Sequence, residues 1–302
     1  MSEVSLQQGI PAEIAQQIRV HGPVLDLVFA QTLYKPLLKN QVRDGVRVVR
    51  ELSYGEHQRH RLDVYLPDAA PANIPVLVFM PGGGFIRGDK SERENAGLYF
   101  ARQGMMVVIA NYRLGPDAKW PAGAEDVIEV YRWVRDHAGQ YGGDPGRIVL
   151  AGESAGAAHV AAAALVRRFH PEEGLQVAGM ILISGVYNVH LEGLARQQFG
   201  VATPDPRNEA YFGSDFASYP QKSTVSLIDV SPIPLFMSFA ELDLLQMQVQ
   251  AGELFATLVV QHGFAPEIKV IHGHNHLTQV YAINTGDESL SGPMLNFINR
   301  HM

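Results

Sequence analysis

Three side chains, far apart in the chain, are placed to activate a hydroxyl together. Ser154 is centred in Gly152-Glu153-Ser154-Ala155-Gly156, the G-x-S-x-G spacing of a serine held on a strained strand-to-helix turn. A serine hydroxyl is a poor nucleophile until a base takes its proton, and that base must itself be held by a third group. In an open parallel sheet all three belong just beyond the carboxyl ends of the strands. Ser154 follows an apolar run at 147–152, Asp243 follows one at 232–240, and His276 follows one at 266–271. Glu241 and Asp229 remain alternatives for the acid, and Asp243 could merely cap the helix after it. His272 and His274 remain alternatives for the base; His276 is preferred because it lies farthest from the strand, beside Leu277, where a helix can start.

A second glycine cluster, "MPGGGFIRGDK" at 80–90, also follows a buried apolar run. Gly83 to Gly88 has the G-x-x-x-x-G spacing of a phosphate loop, but Asp89 stands where that loop needs lysine, and a carboxylate repels phosphate. Backbone N–H groups of consecutive glycines can instead approach a developing oxyanion, and the N–H of Ala155 at a helix start can add another donor. The alternating His272, His274 and His276 could bind metal, but no carboxylate shares the cluster in sequence, and alternate residues of an irregular loop need not converge. No metal or cofactor is expected.

Composition narrows the class. The 302 residues are 46% hydrophobic and 18% charged, an ordinary globular balance, and the net charge of −7 argues against nucleic acid or an anionic membrane as partner. There is no cysteine, so disulfides, thiolate metal sites and a cysteine nucleophile are excluded. The longest apolar runs, "PVLVFM" and "MMVVIA", are far shorter than the ~20 residues of a membrane span. The first 30 residues carry glutamate and glutamine where a signal peptide has a basic start and apolar centre, which points to a soluble, cytoplasmic protein.

The supporting elements alternate. Strands are predicted at 61–67, 76–80, 106–112, 147–152, 178–184, 232–240 and 266–271, with helices near 91–103, 124–142, 155–168, 246–262 and from about 287. Such alternation implies an α/β fold, a mostly parallel central sheet with helices on both faces. Residues 1–45 read as amphipathic helix interrupted at Pro11, Pro23 and Pro36. From Tyr187 to about Ser231 the alternation stops, in a stretch holding Phe199, Tyr211, Phe212, Phe216 and Tyr219; a segment this long usually carries function as a lid or binding wall. No repeat or linker divides the chain, so residues 1–302 are expected to form one domain.

The chain resembles the hormone-sensitive-lipase-like branch of α/β-hydrolase carboxylesterases. "PGGGF" is similar to its H-G-G-G-F/W loop, "NYRLGPDAKWPAGAEDV" to its Y-R-L-A-P…F-P-A-x-x-E-D segment, and "YGGDPGRIVLAGESAG" to its F-G-G-D-P-x-R-I-x-x-x-G-D-S-A-G segment. The order Ser, Asp, His is also that of α/β-hydrolases. The resemblance implies nucleophile Ser154, acid Asp243, base His276 and oxyanion donors Gly83, Gly84 and Ala155, with 1–45 and 187–231 as a helical cap. It departs at Pro81, where the family has a histidine able to brace the glycine loop. The implied substrate is a small-molecule carboxylic ester of short to medium acyl chain. Two alternatives are an arylformamidase-like amide hydrolase and a non-catalytic ligand-binding relative. A homodimer is left open.

Overall fold

The computed structural model describes residues 9–69, 71–198, 206–230 and 233–302. Its strands are β1 (Val46–Ser53), β2 (Arg61–Pro67), β3 (Ile74–Met80), β4 (Met106–Ala110), β5 (Gly143–Glu153), β6 (Gly179–Ile183), β7 (Leu235–Leu242) and β8 (Glu267–Asn275). They form one sheet of order β1-β2-β4-β3-β5-β6-β7-β8, with β2 antiparallel to β1 and β4 and the other neighbours parallel. The helices are α1 (Ala12–His21), α2 (Leu27–Lys39), α3 (Glu94–Arg102), α4 (Ala122–His137), α5 (Ala155–Leu165), α6 (Val189–Gln198), α7 (Pro206–Phe212), α8 (Leu245–His262), the one-turn α9 (Thr278–Tyr281) and α10 (Ser291–His301).

The central strands are apolar at consecutive positions because both faces of the sheet are covered. In β3, Val76, Val78 and Met80 join the core under α4, α5 and α8, while Leu77 and Phe79 join the core under α3 and α10. Strand side chains alternate faces, so one run serves both layers. Among the described residues no helix is long and apolar enough to cross a membrane.

Several boundaries differ from expectation. Strand β1, "VRVVRELS", was not foreseen; it is a half-exposed edge strand, and its arginines and glutamate hide the strand period. Helix α4 stops at His137 and tightens into a 3₁₀ turn ending at Gly142, φ 83°. Pro36 does not interrupt the N-terminal helix but lies inside α2. Its ring removes one helical hydrogen bond, and the helix is held from outside, with Ala30 and Tyr34 buried against Tyr281 and Ala282. The stretch beyond Tyr187 is partly helical: α6, α7 and several 3₁₀ turns carry Tyr211, Phe212 and Tyr219 onto Phe85, Val186 and Met247. Phe199 lies outside the described residues.

The contact that positions the site is that of α5 with the ends of β3 and β5. A Cβ on Gly156 would lie 2.1 Å from the Met80 carbonyl oxygen, and one on Gly152 would lie 2.5 Å from the Gly156 backbone. Backbone cannot yield as a flexible side chain can, so only glycine fits. Gly156→Ala is expected to lower stability by about 1–3 kcal/mol or more, because overpacking a filled core forces backbone shifts. A urea titration checks this, and an unchanged midpoint would refute it.

Candidate active site

Ser154 is the residue that turns the chain from β5 into α5. It stands at φ 50°, ψ −118°, a conformation that L-residues hold only when their surroundings impose it, at a cost of about 1–3 kcal/mol. Those surroundings are two backbone hydrogen bonds, Ser154 N–H to the Ile183 carbonyl at 2.8 Å and Ala158 N–H to the Ser154 carbonyl at 3.1 Å, with the glycine contact below. The hydroxyl is thereby lifted into a cleft and meets His276 Nε2 at 3.1 Å.

His276 lies between β8 and α9. Asn275 Oδ1 accepts from the Leu277 and Thr278 N–H groups, and Thr278 Oγ1 accepts from Asn275 N–H at 2.9 Å, so the turn around the imidazole is fixed from both sides. Its Nδ1 is 2.8 Å from Asp243 Oδ1. A carboxylate only accepts, so Nδ1 carries the proton and Nε2 is left to accept from the serine. Asp243 is fully buried yet well satisfied: Oδ1 also takes the Leu244 N–H at 2.9 Å, and Oδ2 takes the Ser184 hydroxyl and the Ala240 N–H. Burial pushes the His276 pKa down, but the charge and hydrogen bond of Asp243 outweigh it and hold the imidazole above its ordinary value.

The other candidates go elsewhere. Glu241 accepts from Gly273 N–H at 2.8 Å and is 3.6 Å from His272, which is 81% exposed at its side chain. Asp229 accepts from Arg167 N–H at 2.7 Å. His274 is buried against Asp287 Oδ2 at 3.0 Å. Two expectations about the histidines are thus corrected. Strand β8 runs on to Asn275, so His272 and His274 lie in a strand and not an irregular loop, and each meets a carboxylate supplied from another part of the chain. Gly273, at φ 78°, breaks the alternation between them and sends one ring to solvent and the other inward. Among the described residues no group of three His, Asp or Glu is arranged to hold a metal ion.

The glycine loop forms the facing wall. Gly83 and Gly84 have φ 152° and 59°, and a Cβ on Gly83 would fall 1.8 Å from the Arg87 carbonyl oxygen. Among the described residues no acceptor takes the N–H of Gly83 or Gly84, and that of Ala155, first in its helix, has no partner within the helix. The rest of the cleft is lined by Leu25 and Leu27 before and in α2, Val186, Arg207, and Leu244 and Met247 at the start of α8. Two participants were missed from sequence. Ser184 ends up on Asp243, supported by Gln279 Nε2 at 2.7 Å, and Glu153 contacts the glycine loop. The same strand-end rule applied to β6 points to Ser184.

Residues 77–280 match the family described as an alpha/beta hydrolase fold. The chain is 29% identical over 246 residues to a probable isoprenylcysteine alpha-carbonyl methylesterase of Oryza sativa subsp. japonica, covering 76% of this chain and 58% of that protein. It spans about half the length of the curated relatives it matches. Among solved structures it is similar to a bacterial heroin esterase (TM-score 0.77, 22% identity, 97% of this chain and 98% of that one). It is also similar to an esterase from the bacterial hormone-sensitive lipase family (TM-score 0.73, 20% identity, 97% and 99%). By a match over more than half its length, joined to this sheet order and strand-to-helix serine, the chain belongs to the α/β-hydrolase fold family.

Proposed function

We propose that this protein is a serine carboxylesterase for small esters, working as one domain in which the N-terminal helices and the 187–231 segment cap the cleft. The carrying observation is the continuous hydrogen-bond path Ser154 Oγ, His276 Nε2, His276 Nδ1, Asp243 Oδ1 at the floor of that cleft. Ser154 attacks the ester carbonyl carbon while its proton passes to His276 Nε2. The carbonyl oxygen becomes an oxyanion that accepts from Gly83, Gly84 and Ala155 N–H groups, which among the described residues have no competing acceptor to displace. The imidazolium then protonates the leaving alkoxide, and the acyl group stays on Ser154. Water repeats the sequence, giving its proton to His276 and releasing the carboxylic acid. Asp243 stays ionised throughout and stabilises the imidazolium. A methylesterase among the relatives supports a carboxylic ester as the bond cut.

Chain length follows from the walls. Phe85, Val186, Leu244 and Met247 offer an apolar end to the cleft, closed behind by Tyr211 and Phe212. Each buried methylene contributes about 0.8 kcal/mol only until that space is full. Val24 and Val28, next in sequence to the cleft-lining Leu25 and Leu27, are exposed and are an apolar edge that a lipid surface would use.

Ser154→Ala should cut ester hydrolysis by about four to six orders of magnitude in a folded protein, His276→Ala should match it, and the double variant should be little worse, because such residues act as a unit. His274→Ala should cost far less; the reverse ranking, or Ser154→Ala within tenfold of wild type, would defeat the assignment. Because protonated His276 cannot take the serine proton, kcat/KM should rise with pH through one ionisation centred above ~6.5, the ordinary imidazole value, and a profile flat from pH 5 to 8 would contradict a histidine base. Across p-nitrophenyl esters from acetate to palmitate, kcat/KM should peak at roughly two to six acyl carbons, where the cavity fills. A maximum at twelve carbons or a jump on emulsification would indicate a lipase, and preferential turnover of N-formylkynurenine an amide hydrolase.

A further inference from the structure

The glycine loop in this chain lacks the side chain that could brace it from within, since Pro81 presents neither a side-chain donor nor a backbone N–H. Two backbone groups at the start of the loop are nevertheless tied. The Pro81 carbonyl accepts from the buried Tyr112 hydroxyl at 2.8 Å, and the Gly82 N–H donates to Glu153 Oε1 at 2.9 Å. The same Glu153 oxygen accepts from Arg93 Nε. Arg93 and Glu153 are both buried, at 5% and 7% side-chain exposure. Arg93 also donates from Nη1 to the Glu92 carbonyl and lies 5.0 Å from the centre of the Tyr281 ring.

From this geometry we infer that Glu153, held by Arg93, is a positioning residue that locks the oxyanion loop to the nucleophile turn. The inference rests on the proposed roles of Ser154 and of the Gly83 and Gly84 N–H groups. Glu153 is the residue immediately before Ser154, so its carboxylate moves with the nucleophile. By accepting from Gly82, next to the two donors, it transmits the position of the serine turn to the loop that must receive the oxyanion. Space is too short for slack: a Cβ on Gly82 would lie 3.2 Å from Ser154 Cβ and 3.3 Å from Glu153 Cγ. Arg93 restricts the carboxylate to one orientation and offsets its charge in a place with little water. An arginine–glutamate pair used only for stability could be replaced by apolar side chains of similar size at little cost. A pair used to aim the loop could not.

That contrast supplies the test. Glu153→Met with Arg93→Met removes both charges together and keeps the volume, so the protein should stay folded, with its urea midpoint lowered only by what the Gly82 N–H loses with its acceptor. For this double variant kcat should fall by about 10–100-fold, the penalty for misplacing donors that act on the transition state, with KM little changed. Affinity for an alkyl boronic acid, which mimics the tetrahedral oxyanion on Ser154, should fall by a similar factor. Glu153→Gln with Arg93→Met restores an uncharged acceptor for the Gly82 N–H and should recover most of kcat. Wild-type kcat in the double methionine variant would overturn the inference, as would a loss of kcat that the glutamine does not recover. Activity surviving in Ser154→Ala would refute the underlying esterase assignment instead, so the two failures are told apart.

Discussion

Everything at this site depends on how closely β5 and α5 pass one another. With glycine at 152 and 156 the helix backbone comes within contact of the Met80 and Pro81 carbonyls, and Ser154 is left to make the whole change of direction at φ 50°. The strain is local, and the cores on both sides of the sheet stabilise it. The same turn sets the serine hydroxyl above the strand ends and makes the Ala155 N–H the first of α5, at the helix end that favours negative charge. A strand and helix further apart would lose the hydroxyl position and this donor together.

A buried carboxylate next to an imidazole is costly unless each lone pair has a partner. Asp243 meets that condition with two backbone N–H groups, one hydroxyl and the imidazole, all supplied by three neighbouring strand ends. Since Ser184 comes from the end of β6 and Gln279 from α9, Asp243 is fixed by elements on either side of β7. His274 and Asp287 form a second buried pair two residues away. There burial tends to raise the Asp287 pKa, and hydrogen bonding and charge from His274 reverse this to a net lowering. This pair does not reach the serine and anchors the turn that carries His276.

The N-terminal helices bear on the same turn from outside. Ile18, Ala30 and Tyr34 pack on Tyr281 and Ala282, at the end of the short helix that follows His276, while Leu25 and Leu27 face the cleft. One layer therefore walls the cleft and presses on the segment holding His276. The aromatic cluster of Tyr211, Phe212 and Tyr219 does the corresponding work against Phe85 on the opposite side.

Much of this was legible in the order of residues along the chain. The serine turn, the alternation of strands and helices, and the glycine loop are local patterns, because a turn without Cβ, a buried strand and a helix start are decided by neighbours in sequence. Strand β1 and the continuity of α2 through Pro36 were not, since an edge strand carries too few apolar residues and a proline in a helix is tolerated only through packing elsewhere. Sequence left Asp243 beside Glu241 and Asp229, and His276 beside His272 and His274. Only the tertiary structure separated them, by a glycine that breaks strand alternation at 273 and by carboxylates arriving from 241 and 287. The contact of Glu153 with Gly82, 71 positions apart, and its pairing with Arg93 had no sequence signal at all. Hydrogen bonds between distant segments depend on distances of a few tenths of an ångström, and those are set by how the whole core packs.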